Sequence, residues 1–290
     1  MEGVWKELRS FIIHLRLPFQ VIMFIIFLTG FVVGGYSNIS NLILGSIIIF
    51  VFISGGTVAY NSYYDNDNGP INFVKNPPKP TKSLLILSII FKVLGVFLAI
   101  LINLTFFVMC VALVFMSVLY SHPKFRFKTK HGLDLVWNGI GYGSLNVLGG
   151  WLCTNSEINF KIILLSIIAF FIISSGHPIT QVFQYEEDKK KKGKTFVAIF
   201  GPKKSLLISL IFVLITLFLL NVFLALYYNV LSNIVMSVFI FIGVIGLYSW
   251  YKNIGTANKL KIIGNQTTPY ISYLAVVIAC TIFIVLILFD

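Results

Sequence analysis

The chain has 290 residues, of which 58% are hydrophobic and 11% charged, with 22 basic and 10 acidic side chains. Soluble domains carry about 25% charged residues, so this composition has too little polar surface to clothe a water-soluble globule. The formal charge of +12 does not point to nucleic acid, because the positive residues sit in short loops between apolar runs, where anionic lipid head groups and a phosphorylated substrate suit them better.

At the N-terminus, Trp5, Leu8, Phe11, Ile12 and Leu15 recur at helical spacing, with Lys6, Glu7 and Arg9 elsewhere on the wheel. That pattern fits a short amphipathic helix lying on a membrane surface, or an extension of the first span. It is not a cleavable signal, since charges interrupt it and no small-residue cleavage site follows. Apolar runs then predict spans at 17–36, 41–63, 83–102, 104–120, 135–153, 160–183, 204–226, 230–250 and 270–289. Runs of about 20 apolar residues cross a bilayer as helices, which satisfy their own backbone hydrogen bonds in lipid. The expected fold is therefore all-α: a polytopic membrane bundle of about nine transmembrane helices around a central chamber, with residues 1–290 forming a single domain. Spans three and four meet at a short turn near Asn103; one helix across both would be too long for the bilayer.

Loop charges support the count. With a cytoplasmic N-terminus, every basic residue except Lys92 and Lys161 falls in the N-terminal tail or in the loops after spans two, four, six and eight. That alternation follows the positive-inside rule and predicts a multi-pass protein, placed in a bacterial cell (inner) membrane. Lys92 falls inside span three, where a centred charge costs roughly 2.5–3.5 kcal/mol on insertion scales. It either pairs with an interior acceptor or lies nearer an interface. Cys110, Cys153 and Cys280 read as small packed residues, Gly149-Gly150 as a close helix contact, His122 and His131 as solvated loop residues, and His177-Pro178 as a break in the helix ladder that opens the chamber.

Five of the acidic residues cluster at two places: Asp65 and Asp67 after span two, and Glu186, Glu187 and Asp188 after span six. Ser54, Thr57, Asn61, Asp65 and Asn68 form one polar stripe, if the helix runs that far. His177, Gln181, Gln184 and Asp188 form a second, and Asn138, Tyr142 and Asn146 a third. Polar stripes in lipid face the bundle interior or a water-filled cavity; they serve either interhelical hydrogen bonding or a site. Carboxylates at helix ends suit magnesium, which takes one or two of them together with water and substrate phosphate oxygens. Lysines nearby can hold phosphate as point charges. The pattern describes a cytoplasm-facing, magnesium-assisted site for a phosphorylated substrate whose remainder lies in the bilayer.

The segment Asn61-Ser-Tyr-Tyr-Asp65-Asn-Asp67-Asn-Gly69 resembles the first aspartate-rich motif of the UbiA family of intramembrane prenyltransferases. Gln181-Val-Phe-Gln184-Tyr-Glu-Glu-Asp188, with Gly193, Lys194 and Thr195 beyond, resembles the second. Asn-Pro-Pro-Lys79-Pro-Thr resembles the basic segment after the first motif. Tyr120-Ser121 with Lys124, Arg126 and Lys128 resembles the loop after helix four. The resemblance implies that magnesium binds the diphosphate of an isoprenoid donor between the two motifs, that the allylic C–O bond ionises, and that a lipophilic, possibly aromatic, acceptor captures the cation. It implies Asp65, Asp67, Asn61, Glu187 and Asp188 at the metal, and Asp65, Asp188, Lys79 and Lys194 as catalytic groups. It further implies that Asn61, Tyr64, Asn138, Tyr142, His177, Gln181, Gln184, Arg126 and Lys128 line the substrate. The chain departs from the family at Gln181, Gln184 and Ser62, where aspartate is usual, and at Gly69. A terpene cyclase on the same scaffold would form product without an acceptor. A lipid or small-molecule transporter would show inverted repeats with broken helices.

Overall fold

The computed structural model describes residues 2–66, 74, 76–130, 132–182, 185, 196–253 and 267–289. Among them the regular structure is helical, and helix occupies each of the nine predicted runs. We number the helices α1 (Glu2–His14), α2 (Leu17–Val33), α3 (Ile39–Asp65), α4 (Lys82–Ala99), α5 (Leu104–Ser121), α6 (133–152), α7 (Phe160–Val182), α8 (Phe196–Phe200), α9 (Pro202–Tyr227), α10 (Val230–Asn253) and α11 (Thr267–Leu288). Six stretches among the described residues are long and apolar enough to cross a membrane: α3, α4, α5, most of α7, α9 and most of α10. Shorter apolar stretches lie in α2 and α11.

Local chemistry sets the ends. Arg16 adopts a left-handed conformation (φ 51°) and Pro18 opens α2, so the N-terminal helix is separate from the first span rather than its extension. The side chain of Thr81 accepts from Leu84 N to start α4, and that of Asn103 accepts from Phe106 N to start α5. The turn at Asn103 is thus a capped break between two helices. Asn66, at φ 50°, terminates α3 directly after Asp65. The first polar stripe therefore stops at Asp65, and Asn68 lies outside the described residues. Within α3 and α6, Ile47–Ser54 and Gly139–Ser144 are wound as π-helix. Pro178, expected to break its helix, sits inside a continuous α7.

The chain packs as two compact units, residues 1–126 with 149–157, and residues 127–148 with 158–290. In the first, Phe27, Phe31, Ile48, Leu84 and Phe106 are fully buried. The helix segment at Gly149 and Gly150 lies on α2 so closely that a Cβ at Gly150 would collide with the Phe27 carbonyl oxygen. Phe11 and Leu15 of the N-terminal segment pack with Ala59 and Leu84, while Trp5, Leu8 and Ile12 are exposed. Lys92 is 2% exposed; its Nζ donates to Ser117 Oγ at 3.2 Å and lies 3.6 Å from the centroid of the Tyr60 ring. Of the two readings of Lys92, the interior one holds, with a hydroxyl and an aromatic face as partners. All three cysteines are buried, and none of the three is in a disulfide.

In the second unit, Gly139 and Gly143 let α6 approach α7: a Cβ at either would collide with Ser174 or with the Ala169 carbonyl. Close approach through small residues is how helices associate where no hydrophobic force separates them from lipid. An apolar cluster of Leu135, Val182, Phe196, Val197, Leu206, Leu210 and Leu247 closes the same unit.

Candidate functional site

The first unit carries one half of the expected constellation on the last turns of α3. Asn61 Oδ1 accepts from Ser121 Oγ at 3.0 Å, so the hydroxyl of the last residue of α5 orients the amide of the first motif. Tyr64 packs its ring against Tyr60 and Tyr63, with centroids 4.8 and 5.2 Å away, and against His122 at 5.4 Å. His122 is therefore half-buried on Tyr64 rather than merely solvated. Asp65 ends the helix with Oδ1 3.8 Å from Arg126 Nη2, the two side chains 25% and 50% exposed. A pair this open contributes about 0–1 kcal/mol; its interest is the placing of a carboxylate and a cation together at a helix end.

Ser62, where the family usually has aspartate, is fully buried and accepts from Arg16 Nη2 at 3.1 Å. Its side chain lies on the packed face of α3, away from solvent. Lys79 is exposed, in a non-helical segment that ends at Thr81. Thr81 in turn donates to Glu7 Oε2 at 2.7 Å. Asp67 lies outside the described residues.

The second unit joins residues that are far apart in sequence. Asp134, in the first turn of α6, is 2% exposed. Its Oδ2 accepts from Gln181 Nε2 at 2.9 Å and lies 3.3 Å from His177 Nε2. The Gln181 amide is held at both ends, because its Oε1 accepts from Val197 N at 3.3 Å. Gln181 Nε2 also lies 2.9 Å from His177 Nε2. With its proton on Nε2 the imidazole donates to Asp134; with Nε2 bare it accepts from Gln181. The network thus has a place for one exchangeable proton. Among the described residues no donor reaches Asp134 Oδ1.

Asn138 turns back on its own helix, donating to the Asp134 carbonyl at 2.7 Å, and Tyr142 is half-buried one turn further on. Lys128 lies in a 3-10 turn, Phe127–Thr129, and is half-buried. Gln184, Glu187, Asp188 and Lys194 lie outside the described residues, as do Glu186 and His131.

The structure therefore assembles Asn61, Tyr64, Asp65 and Arg126 in one unit, and His177 and Gln181 in the other. It adds Asp134, which the sequence reading passed over. A signal for it existed: Asp134 stands four residues before Asn138 and eight before Tyr142, so it extends the third polar stripe by one turn. Among the described residues no three His, Cys, Asp or Glu side chains cluster. The oxygen donors of Asn61 and Asp65 fit magnesium, which needs only one or two carboxylates from protein.

Comparison with known proteins gives the same outline. The family model for the UbiA prenyltransferase family matches residues 22–263. A digeranylgeranylglyceryl phosphate synthase of Methanosphaera stadtmanae is 25% identical over 252 residues, covering 85% of this chain and 89% of the relative. A solved digeranylgeranylglyceryl phosphate synthase superposes with a TM-score of 0.74 at 17% identity, over 100% of both chains. A UbiA homologue from Archaeoglobus fulgidus, solved with DMAPP and Mg2+, gives 0.71 at 21% identity, covering 94% of this chain and 99% of that one. The same homologue has been solved with GPP and Mg2+.

Proposed function

Since the chain belongs to the UbiA prenyltransferase family, we propose that it transfers a prenyl group from an isoprenoid diphosphate to the hydroxyl of a lipophilic glyceryl phosphate acceptor within the membrane. The enzyme is a multi-pass membrane protein acting as a single prenyltransferase domain over residues 1–290. The observation that carries the reading is the end of α3, where Asn61 and Asp65 stand one turn apart, with Ser121 on the amide and Arg126 beside the carboxylate. The glyceryl phosphate acceptor is supported by the relative from Methanosphaera stadtmanae, whose name specifies that product.

The residues divide by role. Asn61, Asp65 and Asp67 in the first motif, with Glu187 and Asp188 in the second, would hold magnesium. The metal supplies charge that stabilises the departing diphosphate. Arg126, Lys79, Lys128 and Lys194 receive phosphate oxygens directly. Arginine grips them through two parallel donors and lysine as a point charge. Tyr64, stacked among Tyr60, Tyr63 and His122, offers an aromatic face to the allylic cation, which such faces stabilise. Asn138, Tyr142, His177, Gln181 and Gln184 belong to the acceptor side. The charge alternation of the loops supports a cytoplasmic N-terminus and a cytoplasmic diphosphate.

The test is incubation of the purified protein in lipid nanodiscs with geranylgeranyl diphosphate and magnesium. The acceptors are geranylgeranylglyceryl phosphate, a phenolic acid, or none, with products read by mass spectrometry. The expected product is the diether, formed only with the glyceryl phosphate. Asp65→Ala should lower diphosphate release at least about 100-fold. A hydrocarbon formed without acceptor would instead establish a cyclase, and a prenylated phenol an aromatic acceptor.

A further inference from the structure

We propose that His122 is a positioning residue for the donor diphosphate: it folds the turn after α5 so that Arg126 is held beside Asp65. The inference rests on the phosphate-binding role given to Arg126 above. It adds a residue that belongs neither to the aspartate-rich motifs nor to the basic side chains of the loops.

The turn is centred on this one residue. His122 follows the last residue of α5; its N–H still reaches the Val118 carbonyl at 2.9 Å, while its backbone is extended (φ −67°, ψ 136°). Pro123 comes next and has no N–H to give. Each of the following three N–H groups is taken by His122. Lys124 N donates to its Nδ1 at 3.3 Å, Phe125 N to its carbonyl oxygen at 3.0 Å, and Arg126 N to the same oxygen at 2.9 Å.

Arg126 needs that support. Its φ of 44° lies in the left-handed region, which a residue with a Cβ occupies at a cost and keeps only where its surroundings hold it. In that conformation its Nη2 stands 3.8 Å from Asp65 Oδ1. Without the bonds to His122 the turn would relax and carry the guanidinium away from the end of α3.

The imidazole has a second contact that keeps it on the task. It packs edge-on against Tyr64, with centroids 5.4 Å apart, and leans on Phe125 at 6.1 Å. Tyr64 immediately precedes Asp65 on α3. A histidine free to rotate would turn Nδ1 into water; between these two rings it keeps Nδ1 on Lys124 N. The neutral ring then carries its proton on Nε2, because Nδ1 accepts. The side chain thus ties the turn to the helix of the first motif, and the backbone oxygen ties the arginine into the turn. All of these residues belong to one compact unit. An arginine held in place before the donor arrives loses less freedom on gripping a phosphate, which favours binding. His122 acts through Arg126 and not on the phosphate itself.

The experiment measures donor affinity, so it does not depend on which acceptor is used. The probe is geranylgeranyl thiolodiphosphate, an unreactive donor with sulfur at the bridging position, titrated with magnesium into the protein in lipid nanodiscs. Arg126→Ala should raise its Kd at least about 10-fold, as the loss of charged hydrogen bonds does. His122→Phe keeps a ring on Tyr64 but cannot accept from Lys124 N, and should raise Kd about 3- to 10-fold. His122→Asn should return it to within about twofold of wild type, since an asparagine side chain by itself accepts from the backbone two residues on. In the Arg126→Ala background, His122→Phe should change Kd by less than about twofold, because the two residues act as one. A fold defect would weaken binding in both backgrounds alike.

Wild-type affinity in His122→Phe would overturn the proposal. So would failure of His122→Asn to recover affinity, or an undiminished effect of His122→Phe in the absence of Arg126. If Arg126→Ala itself binds the probe normally, the phosphate-binding role of Arg126 fails and this inference falls with it, a result distinct from the other three.

Discussion

Gln181→Asp writes the family's usual residue into the second motif, and the expected result is a less stable protein, not a better metal site. The carbonyl of Gln181 is occupied by Val197 N and its NH2 group faces Asp134. An aspartate at this position sets a second carboxylate roughly 4 Å from the first, where two unit charges at an effective dielectric of about 20 repel by about 4 kcal/mol. Protonation offers no easier route. Holding one carboxyl neutral at pH 7 requires a shift of about three pKa units, again about 4 kcal/mol. A proton on His177 offsets part of this, and loss of the amide donor adds to it. The assay is unfolding in detergent micelles for wild type, Gln181→Asp, Asp134→Asn and the double variant. The double variant should recover most of the loss, with a coupling of at least about 2 kcal/mol. If Gln181→Asp is as stable as wild type, or needs less magnesium for turnover, residue 181 faces the metal and the Asp134 network is misassigned.

Gly150→Ala should destabilise the protein by about 1–3 kcal/mol through overpacking, since its Cβ meets the Phe27 carbonyl; an unchanged melting temperature in detergent would contradict the close contact. Lys92→Met keeps an unbranched side chain one atom shorter while removing the buried cation, and should be neutral or stabilising by about 1–4 kcal/mol, with donor ionisation retained; loss of folded protein would assign Lys92 a pairing role beyond Ser117 and Tyr60. Single cysteines at Ser83 and Asn229, in a cysteine-free background, should be labelled from opposite faces of the membrane, and labelling from one face would dismiss the nine-span arrangement.

Helix positions were legible because an apolar run long enough to cross a bilayer has few alternatives. The break at Asn103 was legible too, since an amide side chain between two such runs is a ready cap. The winding of Ile47–Ser54 was not, because hydropathy does not record which carbonyl each N–H reaches. The candidate site divides in the same way. Asn61 and Asp65 are one turn apart on a single helix, so spacing alone puts them together. Asp134 and Gln181 are separated by 47 residues, and only packing makes them neighbours. Ser62 looked like a missing ligand by its place in the motif. Its contact with Arg16 shows that adjacent positions on a helix point in different directions.

The buried amine of Lys92 also constrains how the molecule can be made. The helix that carries it emerges from the ribosome after the helix bearing Tyr60 and before the helix bearing Ser117. Until that last helix arrives, the ammonium group lacks its hydroxyl and keeps only the aromatic ring. A lone ammonium at bilayer depth is costly, so the segment should linger near the head groups, or within the insertion machinery, until the next span is synthesised. The two would then enter the lipid as a pair, joined by the short turn at Asn103. Biogenesis of this region would thus proceed hairpin-wise, with one side chain setting the order.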